Sequence, residues 1–112
     1  MKGEKMKLKI ERSRRPGNAE MSAFLGLITL ITGDSGREIE YEQGGSILVL
    51  EGDNAELSRL EEALKTGNYP PANTCDDPDF QMGLSSLGGS AKWQLALENF
   101  RASCTAIRCA TV

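Results

Sequence analysis

The stretch GGSILVLEGDNAELSRLEEALKTG, residues 44–67, decides how the chain folds. Ile47, Leu48, Val49 and Leu50 are four consecutive apolar residues behind Gly44-Gly45, two of them β-branched. A short run of this kind predicts a strand, and its continuous apolarity predicts that both faces are covered. Glu51-Gly52 ends it. Asp53 then stands where a helix N-cap is needed, and Glu56 follows at the capping-box distance. Leu57, Leu60 and Leu64 recur at helical intervals with Ala63 beside them, making one apolar stripe. Glu61 and Lys65 form an i,i+4 pair in the favourable order. Gly67 suits the left-handed position after a helix, and Pro70-Pro71 forbids continuation. A strand covered on both faces belongs in the middle of a sheet, with helices packed on it.

Upstream of this unit, Ile39 and Tyr41 alternate with Glu38, Glu40 and Glu42. A hairpin through Gln43-Gly44-Gly45 should join that strand to residues 46–50. Met6–Arg12 alternates strictly, with Met6, Leu8 and Ile10 on one face, and predicts a half-buried strand. Ala19–Thr32 carries two signals. Met21, Phe24, Leu27/Ile28 and Ile31 share a helical face between a cap at Asn18 and a stop at Gly33. The β-branched Ile28, Thr29, Ile31 and Thr32, with a turn at Gly33-Asp34-Ser35-Gly36, point to a strand instead. Helix is the preferred reading.

Downstream, Tyr69–Ser90 reads as loop, from Pro70, Pro71, Asp76-Asp77-Pro78-Asp79, Gly83 and Gly88-Gly89, with Phe80, Met82 and Leu84 as a short edge strand. A loop of that length is expected to be functional or mobile. Trp93, Leu97, Phe100, Cys104 and Ile107 keep a 4-3-4-3 spacing, which predicts a helix over Ser90–Cys109. Residues 1–112 therefore read as a single α+β domain. Its expected form is a ferredoxin-like antiparallel sheet with two packing helices plus an added C-terminal helix. Should Ala23–Thr32 be a strand, the alternative is a β-meander with two helices.

The run GGSILVLEG ahead of a helix resembles the third strand of the BLUF flavin photoreceptor domains, which are also ferredoxin-like with C-terminal helical additions. The resemblance covers residues 31–64. In that family this strand carries a flavin-contacting Gln, where Leu48 stands here, and the first strand carries a Tyr, where Leu8 or Ile10 stands. The resemblance implies the fold and speaks against the photochemistry.

Composition excludes several kinds of function. The 112 residues contain no His, the commonest general base and transition-metal ligand. Cys75, Cys104 and Cys109 are odd in number and hold no CxxC pair, so neither a disulfide framework nor a zinc knuckle is expected. Their pattern fits a reducing, cytoplasmic compartment. Ser13-Arg14-Arg15 ahead of the apolar Ala23–Ile31 resembles an export signal, but the apolar part is short and distant. No run approaches the ~18 apolar residues of a membrane span. Net charge is −3, unevenly spread: residues 1–15 hold seven Lys/Arg against Glu4 and Glu11, and residues 16–91 hold three against thirteen acids. A basic arm beside so acidic a body is expected to pair with that body, which makes nucleic acid an unfavoured partner.

Each chemistry-bearing cluster has an ordinary explanation. Asp76, Asp77 and Asp79 lack calcium-loop spacing and read as a solvated turn. Glu38, Glu40 and Glu42 fit acid–base carboxylates, or simply the wet face of a sheet. Cys75 lacks a group that would activate it, and Cys104 reads as core packing. The glycines at 83, 88 and 89 match no phosphate loop; Ser85–Ser90 ahead of a helix hints at anion binding. The expectation is a small, non-enzymatic binding or regulatory domain with no cofactor or metal. It should self-associate through a sheet edge or its C-terminal helix. The alternatives are a small-molecule pocket between sheet and C-terminal helix, lined by Phe24, Trp93 and Phe100, and a carboxylate-based enzyme.

Overall fold

The computed structural model describes residues 5–15, 17–33 and 39–111, the side chains of residues 73 and 111 excepted. The elements run β1 (Lys5–Arg12), α1 (Asn18–Thr32), β2 (Glu40–Gly44), β3 (Ile47–Asp53), α2 (Asn54–Thr66), α3 (Pro78–Leu87), α4 (Ser90–Ala102) and β4 (Cys104–Thr111). A short 3-10 turn, Ala72–Thr74, precedes α3. The fold is α+β: among the described residues, an open, four-stranded antiparallel sheet in the order β2-β3-β1-β4, with four helices.

The strand–helix unit forms as its residues dictate. Asp53 caps α2, accepting the N–H of Ala55 at 3.0 Å and of Glu56 at 3.4 Å. Leu57, Leu60, Ala63 and Leu64 are buried, and α2 packs on β1, β3 and β4. Lys65 Nζ reaches Glu61 Oε2 at 3.2 Å. Gly67 closes the helix at φ 78°, and its N–H donates to the Ala63 carbonyl. Leu60→Ala should cost roughly 2–5 kcal/mol, as a fully buried side chain is lost. Asp53→Ala removes only the cap and should cost about 1 kcal/mol. Urea melts of the two variants rank them; equal losses would mean that α2 is not docked on the sheet.

β3 departs from expectation in one respect. Leu48, Leu50 and Gly52 are buried, whereas Ile47 is exposed and Val49 and Glu51 are half-buried. Only one face is covered. In an antiparallel sheet one face can stay wet, and here the buried residues of β1 (Met6, Leu8, Ile10 and Arg12) and of β3 share the other.

α1 is the helix preferred above, although its N-cap is Gly17 rather than Asn18. Its β-branched residues are accommodated partly by back-bonding, as Thr32 Oγ1 donates to the Ile28 carbonyl at 2.6 Å. The turn proposed at 33–36 falls largely outside the described residues.

Two expectations are corrected. The loop over residues 69–90 contains α3. Asp77 caps it by accepting from Asp79 and Phe80, Pro78 fills the first turn, and Gly88 is its left-handed C-cap. Phe80 and Leu84, four apart, are buried while Met82 is exposed, which is helical rather than strand periodicity. The helix expected to reach Cys109 ends at Ala102, and residues 104–111 form β4. The cause is β1: as a central strand it needs a neighbour on its second side, and the β-branched Thr105, Ile107 and Thr111 suit that role. The added helices α3 and α4 therefore lie before β4, and the last described element is a strand, not the helix expected there. The strand order is also not that of a meander.

Candidate functional site

Strand register determines which side chains share the uncovered face of the sheet. Lys7 stands opposite Glu51 on one side and Ala110 on the other. Lys9 stands between Val49 and Arg108, and Glu11 between Ile47 and Ala106. Glu40 lies opposite Glu51, and Glu42 opposite Val49. Side chains in register point to the same face, so these residues form a single surface. Its β2–β3 half carries Glu40, Glu42 and Glu51 and no basic residue. Its β1–β4 half carries Lys5, Lys7, Lys9 and Arg108 against Glu11 alone. Ile47 and Val49 supply apolar area between the charges.

Lys7 and Glu51 oppose each other across the β1–β3 seam, but close ion pairs are scarce on this face among the described residues. Among the described residues, its only ion pair closer than 4 Å joins Lys9 Nζ to Glu11 Oε1 at 3.5 Å, along one strand. A hollow of about 100 Å³ lies among Lys7, Glu40, Glu42, Val49 and Glu51. The carboxylate row expected at Glu38, Glu40 and Glu42 is thus found in part on this wet face; Glu38 lies outside the described residues.

The helical side has a second concavity, about 270 Å³, between α1 and α3. Leu25, Gly26, Phe80, Gly83 and Trp93 line it. A Cβ at Gly26 would stand 3.0 Å from Trp93 Nε1, so glycine is what lets the indole lie against α1. That nitrogen donates to the Ala23 carbonyl at 3.2 Å, which occupies its one hydrogen bond. Of the three residues expected to line a pocket, Trp93 borders this groove. Phe24 and Phe100 are fully buried and stack on each other, centroids 4.6 Å apart and planes 9° from parallel.

One polar cluster was not legible as such. The Arg12 guanidinium is fully buried, with Nη2 donating to Glu20 Oε2 at 2.7 Å and also to Ser103 Oγ. It lies 4.3 Å from the centroid of the Phe100 ring. Glu20 Oε1 accepts from Arg14 at 2.6 Å, and Oε2 accepts the Gly17 N–H at 3.4 Å. Burial alone would raise the Glu20 pKa. The Arg12 and Gly17 hydrogen bonds and the two arginine charges outweigh it, and the carboxyl sits below its ordinary value. The cluster ties the end of β1 to the start of α1 and the end of α4. Parity supplied the missed signal: Arg12 falls on the same strand face as Met6, Leu8 and Ile10.

The Cys104 and Cys109 thiols are not activated nucleophiles at neutral pH. Burial raises the Cys104 pKa despite nearby Arg12. Burial and a hydrogen bond with Glu61 push Cys109 up to about 11. Cys104 itself begins β4 and is half-buried, rather than lying on a helical stripe. No three His, Cys, Asp or Glu groups among the described residues come close enough to share a metal, and Asp77 is engaged in capping α3. Among the described residues no helix is long and apolar enough to cross a membrane. Leu8, Ile10 and Leu48 are core residues. No protein family, curated protein or solved structure matches the chain.

Proposed function

We propose that this chain is a small, non-enzymatic binding or regulatory domain of the cytoplasm that works through the open face of its sheet and self-associates. The observation carrying the proposal is that face: four strands wide and, among the described residues, uncovered and lined by charges with a single close ion pair of their own. A ferredoxin-like assignment accompanies it. The order β2-β3-β1-β4 supports this, with α3 and α4 as an insertion between α2 and β4. The three free cysteines favour a reducing compartment. Burial raises the pKa of Cys104 and Cys109, which speaks against thiolate chemistry at either.

A small-molecule pocket is the second reading, favoured by the Trp93-lined groove. It stands behind the sheet face because Phe24 and Phe100, the other two residues expected to line the pocket, are fully buried in the core. Nucleic acid ranks lower, because the basic half of the face directly adjoins the acidic half. A thermal-shift screen with metabolites and divalent metals separates these readings. The binding-domain reading expects no change in melting temperature beyond about a degree, whereas a ligand at 100 times its Kd adds about 2.7 kcal/mol and moves the midpoint by several degrees. Such a shift, abolished by Gly83→Leu, which fills the groove without striking Trp93, would transfer the function to the groove.

A further inference from the structure

We infer that the open sheet face binds the same face of a second copy of this chain, about a two-fold axis parallel to the strands and lying between β1 and β3. The inference rests on the self-association reading above and names its surface and geometry. Two features of the face carry it.

The first is the placement of like charges. Glu40 is directly opposite Glu51, and Lys9 directly opposite Arg108. Like charges opposed across strands destabilise a sheet. A solvated face with no other task would intersperse the two signs, yet here, Glu11 excepted, each sign is gathered on its own pair of strands. The second is the geometry of the division. The boundary between the acidic and basic halves runs along the β3–β1 seam, which is the middle of the sheet.

A half-acidic, half-basic face is self-complementary under only one of the two simple rotations. Turning a second copy about an axis parallel to the strands lays each acidic half over a basic half. Glu51 then meets the second copy's Lys7, and Glu42 meets its Arg108, with each contact repeated by symmetry. Val49 meets the aliphatic stem of the second copy's Lys9. Turning it about an axis across the strands lays acid on acid and base on base, which is repulsive. The charge pattern therefore selects both the partner surface and its orientation.

Size sets the strength. With strands ~4.8 Å apart and same-face residues about 6.8 Å apart, the face covers roughly 400 Å² per copy. The total, about 800 Å², lies below the ~1,200 Å² of standard interfaces. The dimer should be weak, reversible and sensitive to salt.

Sedimentation velocity on the full chain tests this. The native chain should dimerise at roughly 20 mM salt and dissociate at roughly 500 mM, where charges are screened within a few ångströms. Lys7→Glu and Glu51→Lys should each weaken self-association at least about tenfold, because each introduces two symmetric like-charge contacts. Mixing the two variants should restore a dimer, since Glu51 of one then meets the unaltered Lys7 of the other, and the two new residues meet as Glu and Lys. Both positions are on the open face, and circular dichroism melts check that both variants fold. A dimer indifferent to either reversal would overturn this geometry and leave self-association standing through another surface, such as the exposed Met82 or Leu95. A chain monomeric at every concentration and salt would overturn both. Failure of the mixture to re-form a dimer would overturn the two-fold arrangement.

Discussion

Glu20→Ala is expected to destabilise the protein by about 3–5 kcal/mol, because it strands the Arg12 guanidinium without its counter-charge inside the core. The Arg12 side chain is 0% exposed and that of Glu20 10%. Among the described residues Arg12 Nε and Nη1 already have no hydrogen-bond acceptor. Among the described residues, removing the carboxylate leaves Ser103 Oγ, the Cys104 thiol and the face of Phe100 against a full charge. The pair itself is no guarantee of stability, since desolvating two charges offsets much of their attraction. A double variant, Arg12→Met with Glu20→Leu, should therefore regain most of what Glu20→Ala loses. Urea melts of the three variants decide the matter, and a double variant as unstable as the single would mean that the charges are not coupled. The same pair sets an acid limb. The Glu20 pKa is lowered in the folded chain, so its contribution is fully present above the unfolded value of about 4.3 and is lost as pH falls through the lower, folded value. Stability of the native chain should fall on that limb more steeply than that of Glu20→Gln.

Phe100→Ala should be of similar size, about 3–5 kcal/mol. Phe100 is fully buried, and two separate contacts end on its ring: Phe24 stacked on it and Arg12 beside it. The aromatic pair adds about 0.5–1.5 kcal/mol beyond buried area, and a desolvated cation–π contact about 2. Phe100→Leu keeps most of the volume and should lose less than half as much. The denaturant midpoint should move without a change in slope. A loss under about 1 kcal/mol for Phe100→Ala would mean that α4 is not docked on α1.

How much of this was legible follows from where each signal resides. The unit at 44–67 carries its cap, stripe and stop within 24 residues, and such local chemistry survives folding unchanged. Asp77-Pro78 was read as a turn because Asp and Pro serve turns and helix starts alike; Gly88 ten residues later was the signal that separated them. Residues 104–109 continued the apolar spacing of α4 by coincidence, and only the demand of β1 for a second neighbour makes them a strand. That demand is tertiary. The same holds for the sheet face: Glu40, Glu42, Lys7 and Lys9 were readable as outward-facing, but the division into an acidic and a basic half depends on strand order. Nor could Arg12, Glu20 and Ser103 be brought together from sequence, being separated by up to 91 positions.

The most direct test of the open face as the working surface is a dilution series followed by amide NMR shifts at low salt. On dilution the shifts of Lys7, Lys9, Val49, Glu51 and Arg108 should move together along one binding curve, while those of Met82 and Leu95 stay fixed. Movement confined to α3 and α4, with the sheet face unchanged, would contradict the account.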